Sequence, residues 1–178
     1  IAIAYYNQSD ELCLWLIEHK LTEKEFTECG GAKSKNRKSN HSCSKSFPEI
    51  LSNKDLCYYH NVSKYNYWNI TEQNQSFYVN HPKHQSCPFK GGMNQLWRNQ
   101  SLGFALEAQG KFQHIYFSVV KHPANTALDE SIKQYKELIN HNPKFSAFNS
   151  KNVIDAANNL SDPTMIAWIN WYKELYKL

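Results

Sequence analysis

Residues 12–20 form an apolar run, Leu-Cys-Leu-Trp-Leu-Ile, that turns polar only at its end, Glu-His-Lys. Neither set of alternate positions is polar before Glu18, which is the pattern of a strand buried on both faces. Residues 1–6 alternate weakly and predict a shorter strand, and Asn7-Gln8-Ser9-Asp10 between the two is turn chemistry. Together they predict an antiparallel hairpin. With the turn centred near Gln8 and Ser9, facing residues have numbers summing to about 17. The position facing Glu18 then falls just before Ile1. Asp10, the carboxylate at the far end of the hairpin, stands roughly 8 residues × 3.3 Å away, too far to share an ion with Glu18.

From residue 21 to residue 90 the periodicity fades. This stretch is Gly-, Ser- and Asn-rich at first, then aromatic around Tyr65-Asn66-Tyr67-Trp68. Regular patterning returns with a helix over 91–110 (Met93, Leu96, Trp97, Phe104) that Gly110 ends. A strand follows over 112–120, with Ile115, Phe117 and Val119 on one face, and then a helix over 127–139. Residues 145–148 read as a short strand. Asn149-Ser150 caps a helix through 157, and Asp162-Pro163 opens a last helix with proline in its first turn. Trp97, Trp168 and Trp171 read as core residues. The order is β-β-insertion-α-β-α-β-α-α. It predicts an α/β fold, a mixed central sheet flanked by helices with a cysteine-bearing irregular insertion. Residues 1–178 make one domain and 21–90 the insertion within it.

Composition narrows the class. The 178 residues are 41% hydrophobic and 14% aromatic, enough for one sizeable core. No stretch is long enough to span a membrane. The chain opens on a strand rather than a signal peptide, so a cytoplasmic setting is expected. Asn-x-Ser/Thr sequons at Asn7, Asn61, Asn69, Asn74, Asn99 and Asn159 follow from a chain rich in Asn. The net charge of +4 permits a polyanionic partner. Lys33, Lys35, Arg37, Lys38 and Lys45 cluster in one loop suited to phosphate contact or to plain solvation. Five cysteines, an odd number, argue against a complete disulfide framework.

The chemistry centres on Glu18 and Lys20. Residues i and i+2 of a strand point to one side, so a carboxylate and an ammonium emerge together at the sheet edge. The carboxylate suits a hard cation such as Mg²⁺ or Mn²⁺, and the lysine suits charge developing on a phosphate. A simple salt bridge is the alternative. Gln95 and Arg98, at i and i+3 of a helix, face the same site or a phosphate, or else solvent. His122 follows the third strand as a terminator or ligand. Cys29, Cys43, Cys57 and Cys87 lie in the insertion, and His60 is at knuckle spacing from Cys57. Tetrahedral Zn²⁺, an iron–sulfur cluster, disulfides and free thiols are the readings open to them. Cys13, inside the strand, reads as a small buried hydrophobe.

The strand ending Ile17-Glu18-His19-Lys20, the helix bearing Gln95-x-x-Arg98 and the strand running to Val119-Val120-Lys121-His122-Pro123 resemble the PD-(D/E)xK nuclease superfamily. Glu18 and Lys20 match its (D/E)xK half, and the Asp half would fall just upstream of Ile1. The resemblance implies a restriction-endonuclease-like fold and a metal-dependent endodeoxyribonuclease of bacterial defence or DNA processing. It implies catalytic roles for Glu18, Lys20 and Gln95, and Mg²⁺ held by Glu18 and the main-chain carbonyl of His19. DNA would lie against Lys33, Lys35, Arg37, Lys38 and Arg98. A homodimer or a multidomain context is compatible with such a protein. Iron–sulfur members of the superfamily carry cysteines flanking the nuclease core, whereas these lie between motif and helix, which favours zinc. The alternative function is a non-catalytic zinc-stabilised module that binds nucleic acid or protein.

Overall fold

The computed structural model describes residues 1–34, 41–160 and 162–178. Strands β1 (Ala2–Tyr6), β2 (Leu12–Lys20), β3 (His114–Lys121) and β4 (Phe145–Asn149) form one sheet in the order β1-β2-β3-β4. β1 and β2 are antiparallel, while β2–β3 and β3–β4 are parallel. The hairpin turn is held by Asn7, whose Oδ1 accepts the N–H groups of Ser9 and Glu11, both at 2.9 Å. Facing residues sum to 18, as in Ala2 with Leu16 and Tyr6 with Leu12, one more than the turn chemistry alone suggests. Asp10 takes a left-handed conformation, φ 59°, which lengthens the turn by the extra residue.

Helices α1 (Gly30–Lys33), α2 (Phe47–Ser52), α3 (Tyr58–Asn61) and α4 (Tyr67–Gln73) lie in the insertion with four 3₁₀ turns. The insertion is therefore mostly helical turns, too short to leave a periodic signature. Beyond it come α5 (Met93–Ala108), α6 (Asp129–Leu138), α7 (Ser150–Asn158) and α8 (Pro163–Tyr176). The caps act as the sequence suggests. Asn149 and Asn152 form a reciprocal capping box, and Asp162 Oδ1 accepts from Thr164 and Met165.

Helix α5 crosses the face of the sheet formed by even positions of β2 and odd positions of β3. Gly103 allows the close approach: a Cβ there would stand 3.4 Å from Ile115 Cγ2 and 3.9 Å from Leu16 Cδ1. Ile115, Phe117 and Val119 are all buried beneath it. The insertion packs on the outer side of α5 through an aromatic cluster. Phe89 stacks on Trp97 with centroids 4.4 Å apart and planes 1° from parallel, and Trp68 packs on both. Trp97 Nε1 donates to Thr71 Oγ1 at 2.8 Å, which satisfies its one polar atom. One buried cluster thus runs from Phe26 and Phe47 in the insertion to Leu138 and Phe145.

The opposite face of the sheet is more open. Strand β2 is interior but only part-buried over Trp15 to His19, so the expectation of burial on both faces is corrected. All five residues of β1 are exposed. Helices α7 and α8 form a small second cluster around Ile154, Ile169 and Tyr172. Trp97 is core, but Trp168 and Trp171 are 38% and 55% exposed, against expectation. The apolar face of α8 is wider than the partner surface that α7 offers.

Phe89→Ala should lower the unfolding free energy by about 3–5 kcal/mol in urea titration, because Trp97, Trp68, Phe47 and Tyr78 all pack on that ring. A loss under about 1 kcal/mol would show that the cluster does not join insertion to sheet. Burial also holds the imidazole of His81, stacked on Phe47 at 4.4 Å, below the ordinary histidine value of 6.5. Below that value the unfolded chain binds a proton that the folded chain refuses, so stability is lost as pH falls. The unfolding midpoint should therefore drop between about pH 7 and about pH 5, and drop less in His81→Asn. A midpoint that rises on acidification contradicts this.

Candidate active site

Glu18 and Lys20 end β2 on the side that faces α5. Lys20 Nζ lies 3.3 Å from Glu18 Oε1. Lys20 is 7% exposed, with Phe26 under its ammonium at 5.8 Å, so its charge is largely withdrawn from water. A second carboxylate, Glu23, reaches the same ammonium at 3.7 Å. Phe26, which covers the lysine, belongs to the loop immediately after β2.

Helix α5 supplies the other wall. Gln95 Nε2 donates to Glu18 Oε1 at 2.7 Å, and Asn99 Nδ2 donates to Oε2 at 3.3 Å. The amide of Gln95 is fixed at both ends, because its Oε1 accepts the Thr27 N–H at 3.1 Å. Gln95 and Asn99 are four residues apart and share a helix face. The i, i+4 spacing was the signal that would have found Asn99. Arg98, one residue before it, projects elsewhere. Its Nε donates to Tyr67 Oη at 3.3 Å, and its guanidinium lies over the rings of Tyr59 and Tyr67. The structure thus brings Glu18, Lys20 and Gln95 together and places Arg98 on the insertion side of α5.

A carboxylate offers about four lone-pair positions, of which the two amides and the ammonium take three. A cleft of about 150 Å³ opens beside Glu18, lined by Ile1, Ile17, Asn99, Leu102 and Phe117. Larger grooves exist, but one of about 1000 Å³ between α7 and α8 and one of about 440 Å³ beside α6 do not touch Glu18. The paired charges locate the site better than groove size does. Alternation along β2 turns the His19 carbonyl to the side of Ile17, whose N–H and C=O pair with Ile1. The register puts the position opposite Glu18 immediately before Ile1. The His19 side chain points to the other face and meets Tyr172 Oη at 3.2 Å.

The remaining predicted residues are scattered. His122 Nδ1 accepts the Ala124 N–H, so Nε2 carries the proton and donates to the Tyr176 carbonyl at 2.9 Å. It tethers α8 rather than lining the site. Lys33 pairs with Glu28 at 2.7 Å on the surface. Lys35, Arg37 and Lys38 lie outside the described residues. All five cysteines are free thiols, and Cys13 is fully buried. The His60 ring turns toward Asp55, 3.8 Å away. Among the described residues no three His, Cys, Asp or Glu side chains stand at metal-ligand spacing. Among them, too, no helix is long and apolar enough to cross a membrane.

A strand-end carboxylate and lysine on a mixed sheet, faced by a glutamine from the following long helix, define a nuclease fold. The chain belongs to the PD-(D/E)XK nuclease superfamily, whose profile matches residues 1–170. Comparison with curated proteins and with solved structures gives no match.

Gln95→Ala removes the 2.7 Å donor to Glu18 and leaves the Thr27 N–H without its acceptor. It should cost about 1–2 kcal/mol in urea unfolding. Gln95→Glu, which sets a second carboxylate against Glu18, should cost more. An unchanged midpoint in both variants would show that the amide does not hold the site.

Proposed function

We propose that the chain is a metal-dependent endodeoxyribonuclease, with Glu18 as a metal ligand and Lys20 as the catalytic lysine. The observation that carries this is the 3.3 Å pairing of Glu18 with a nearly buried Lys20 at the sheet edge. The donor set fits a hard cation. Glu18 keeps one carboxylate position free, and the His19 carbonyl offers a second oxygen on the strand edge. A Mg²⁺ or Mn²⁺ ion held there supplies Lewis acidity toward the scissile phosphate.

The chain's own residues do the rest. Gln95 and Asn99 hold the Glu18 carboxylate in one orientation, so no reorganisation is needed when substrate arrives. The ammonium of Lys20, shielded by Phe26, acts on charge developing at the phosphate in a poorly hydrated setting, where it counts for more than in water. In the hairpin register the motif's second carboxylate would face Glu18 from the position before Ile1. Lys121, in register with Lys20 and paired with Asp129 at 2.9 Å, borders a groove that Lys133, Lys136 and His141 also line, and DNA backbone would run along it. Lys33, Lys35, Arg37 and Lys38 would add phosphate contacts, and the enzyme would work in the cytoplasm in defence or DNA processing. Arg98, engaged by Tyr59 and Tyr67, positions the insertion rather than DNA.

A non-catalytic binding module is the second reading, favoured by the amide and ammonium groups that already occupy most of Glu18. Supercoiled plasmid with Mg²⁺ or Mn²⁺ separates the two. The full-length gene product should nick it, and Glu18→Ala and Lys20→Ala, assayed well below their own unfolding midpoints, should each lose about 10²-fold or more in rate. Cleavage retained by Glu18→Ala would sink the nuclease assignment. Tight DNA binding without cleavage by the parent would establish the module.

A further inference from the structure

Away from Glu18, the insertion folds around four sulfurs far apart in sequence. Cys29 is the N-cap of α1, Cys57 the N-cap of α3, and Cys87 the N-cap of the 3₁₀ turn Pro88–Lys90. The Ala32 N–H donates to the Cys29 carbonyl at 3.0 Å and the His60 N–H to the Cys57 carbonyl at 3.1 Å, which closes each turn. The three turns are tied together. Cys29 N–H donates to the Lys90 carbonyl at 3.3 Å, and Ser42 N–H donates to the Leu56 carbonyl at 2.8 Å, which brings the Cys43 segment beside Cys57. At Gly31 an added Cβ would stand 2.4 Å from Tyr58 Cβ and 3.5 Å from Cys29 Sγ, so α1 and α3 touch with no room between them.

Further donors converge on the same point. The Tyr59 hydroxyl, which accepts from Gly30 N–H at 3.1 Å, also reaches Cys29. The buried Trp68 indole N–H has no hydrogen-bond partner and lies near Cys57. Cys29, Cys57 and Cys87 are 4%, 6% and 6% exposed, in a cluster that Cys43 packs against. Cys43 stands beside Cys29, and all four thiols lie within electrostatic reach of one another. Four free thiols from distant parts of the chain thus meet in one buried cluster.

We propose that Cys29, Cys43, Cys57 and Cys87 hold a single zinc ion that fastens the insertion onto helix α5. Zn–S bonds of about 2.3 Å in a tetrahedron set sulfurs roughly 3.8 Å apart. Thiolates at the corners of a four-iron cluster stand much farther apart. The sulfurs are gathered but not closed to ligand spacing, and rotation about χ1 re-aims a cysteine sulfur without moving its backbone. Binding displaces the remaining thiol protons to solvent, with no change of oxidation state. From the centre, Tyr59 passes to Arg98 on α5, the guanidinium 5.8 Å from its ring. The metal would thus steady the helix that presents Gln95, while standing or falling independently of nuclease activity.

Elemental analysis of the full chain, expressed in zinc-replete medium, tests this. About one zinc per chain is expected, retained in Cys13→Ser and lost at least severalfold in Cys57→Ser/Cys87→Ser. Cobalt substitution of the parent should give the intense sulfur-to-cobalt and d–d absorption of a tetrahedral tetrathiolate site. That spectrum, together with the zinc content of the parent, decides the matter even if the double variant does not fold. A parent chain with no metal and four readily titrated thiols beyond Cys13 would overturn the proposal. Iron with acid-labile sulfide in place of zinc would overturn it as well.

Discussion

The stacking of Trp97 on Phe89 sets the rotation of helix α5, and the rest of the molecule depends on that rotation. With Trp97 and Leu96 buried outward and inward, the helix has a single azimuth at which both fit. At that azimuth Gln95 and Asn99 point along the sheet toward Glu18, and Arg98 points toward Tyr59 and Tyr67. Close packing makes such an arrangement stiff, because a small rotation would open voids on one side and clashes on the other. One helix therefore relays the placement of the insertion to the orientation of the carboxylate.

The site itself depends on local strand geometry and on the shielding supplied by a loop. Alternation along β2 brings Glu18 and Lys20 to one side, but alternation alone yields an ordinary surface ion pair worth little. Phe26 and the wall of α5 take Lys20 out of water, and the two amides take up most of the carboxylate. The pair becomes costly to leave unmatched and correspondingly responsive to a phosphate or a cation. Glu23, which reaches Lys20 from the same loop, adds charge that the reading of the strand alone did not include.

The insertion and the last two helices show opposite solutions to limited hydrophobic content. The insertion lacks long elements and compensates with aromatic rings and converging thiols. Helices α7 and α8 have regular elements and good caps but a small shared core, and Trp171 and Leu175 remain exposed. The sheet face opposite α5 is similarly open along β1.

Sequence by itself determined the elements whose signals are local. The hairpin turn at Asn7-Gln8-Ser9-Asp10, the apolar strand ending in Glu18 and Lys20, the capped helices and the order of strands and helices were all legible, since turn residues, caps and periodicity act within a few positions. The hairpin register was legible to within one residue, which the left-handed Asp10 decided. Other matters waited on tertiary structure because they join residues distant in the chain. Which of Gln95, Arg98 and Asn99 meets Glu18 depends on how α5 is rotated, and periodicity does not give the phase between helix and sheet. That Trp97 is core while Trp168 and Trp171 are not depends on what packs opposite each helix. That Cys29, Cys43, Cys57 and Cys87 share one neighbourhood depends on turns too short to announce themselves in sequence, held together by long-range packing.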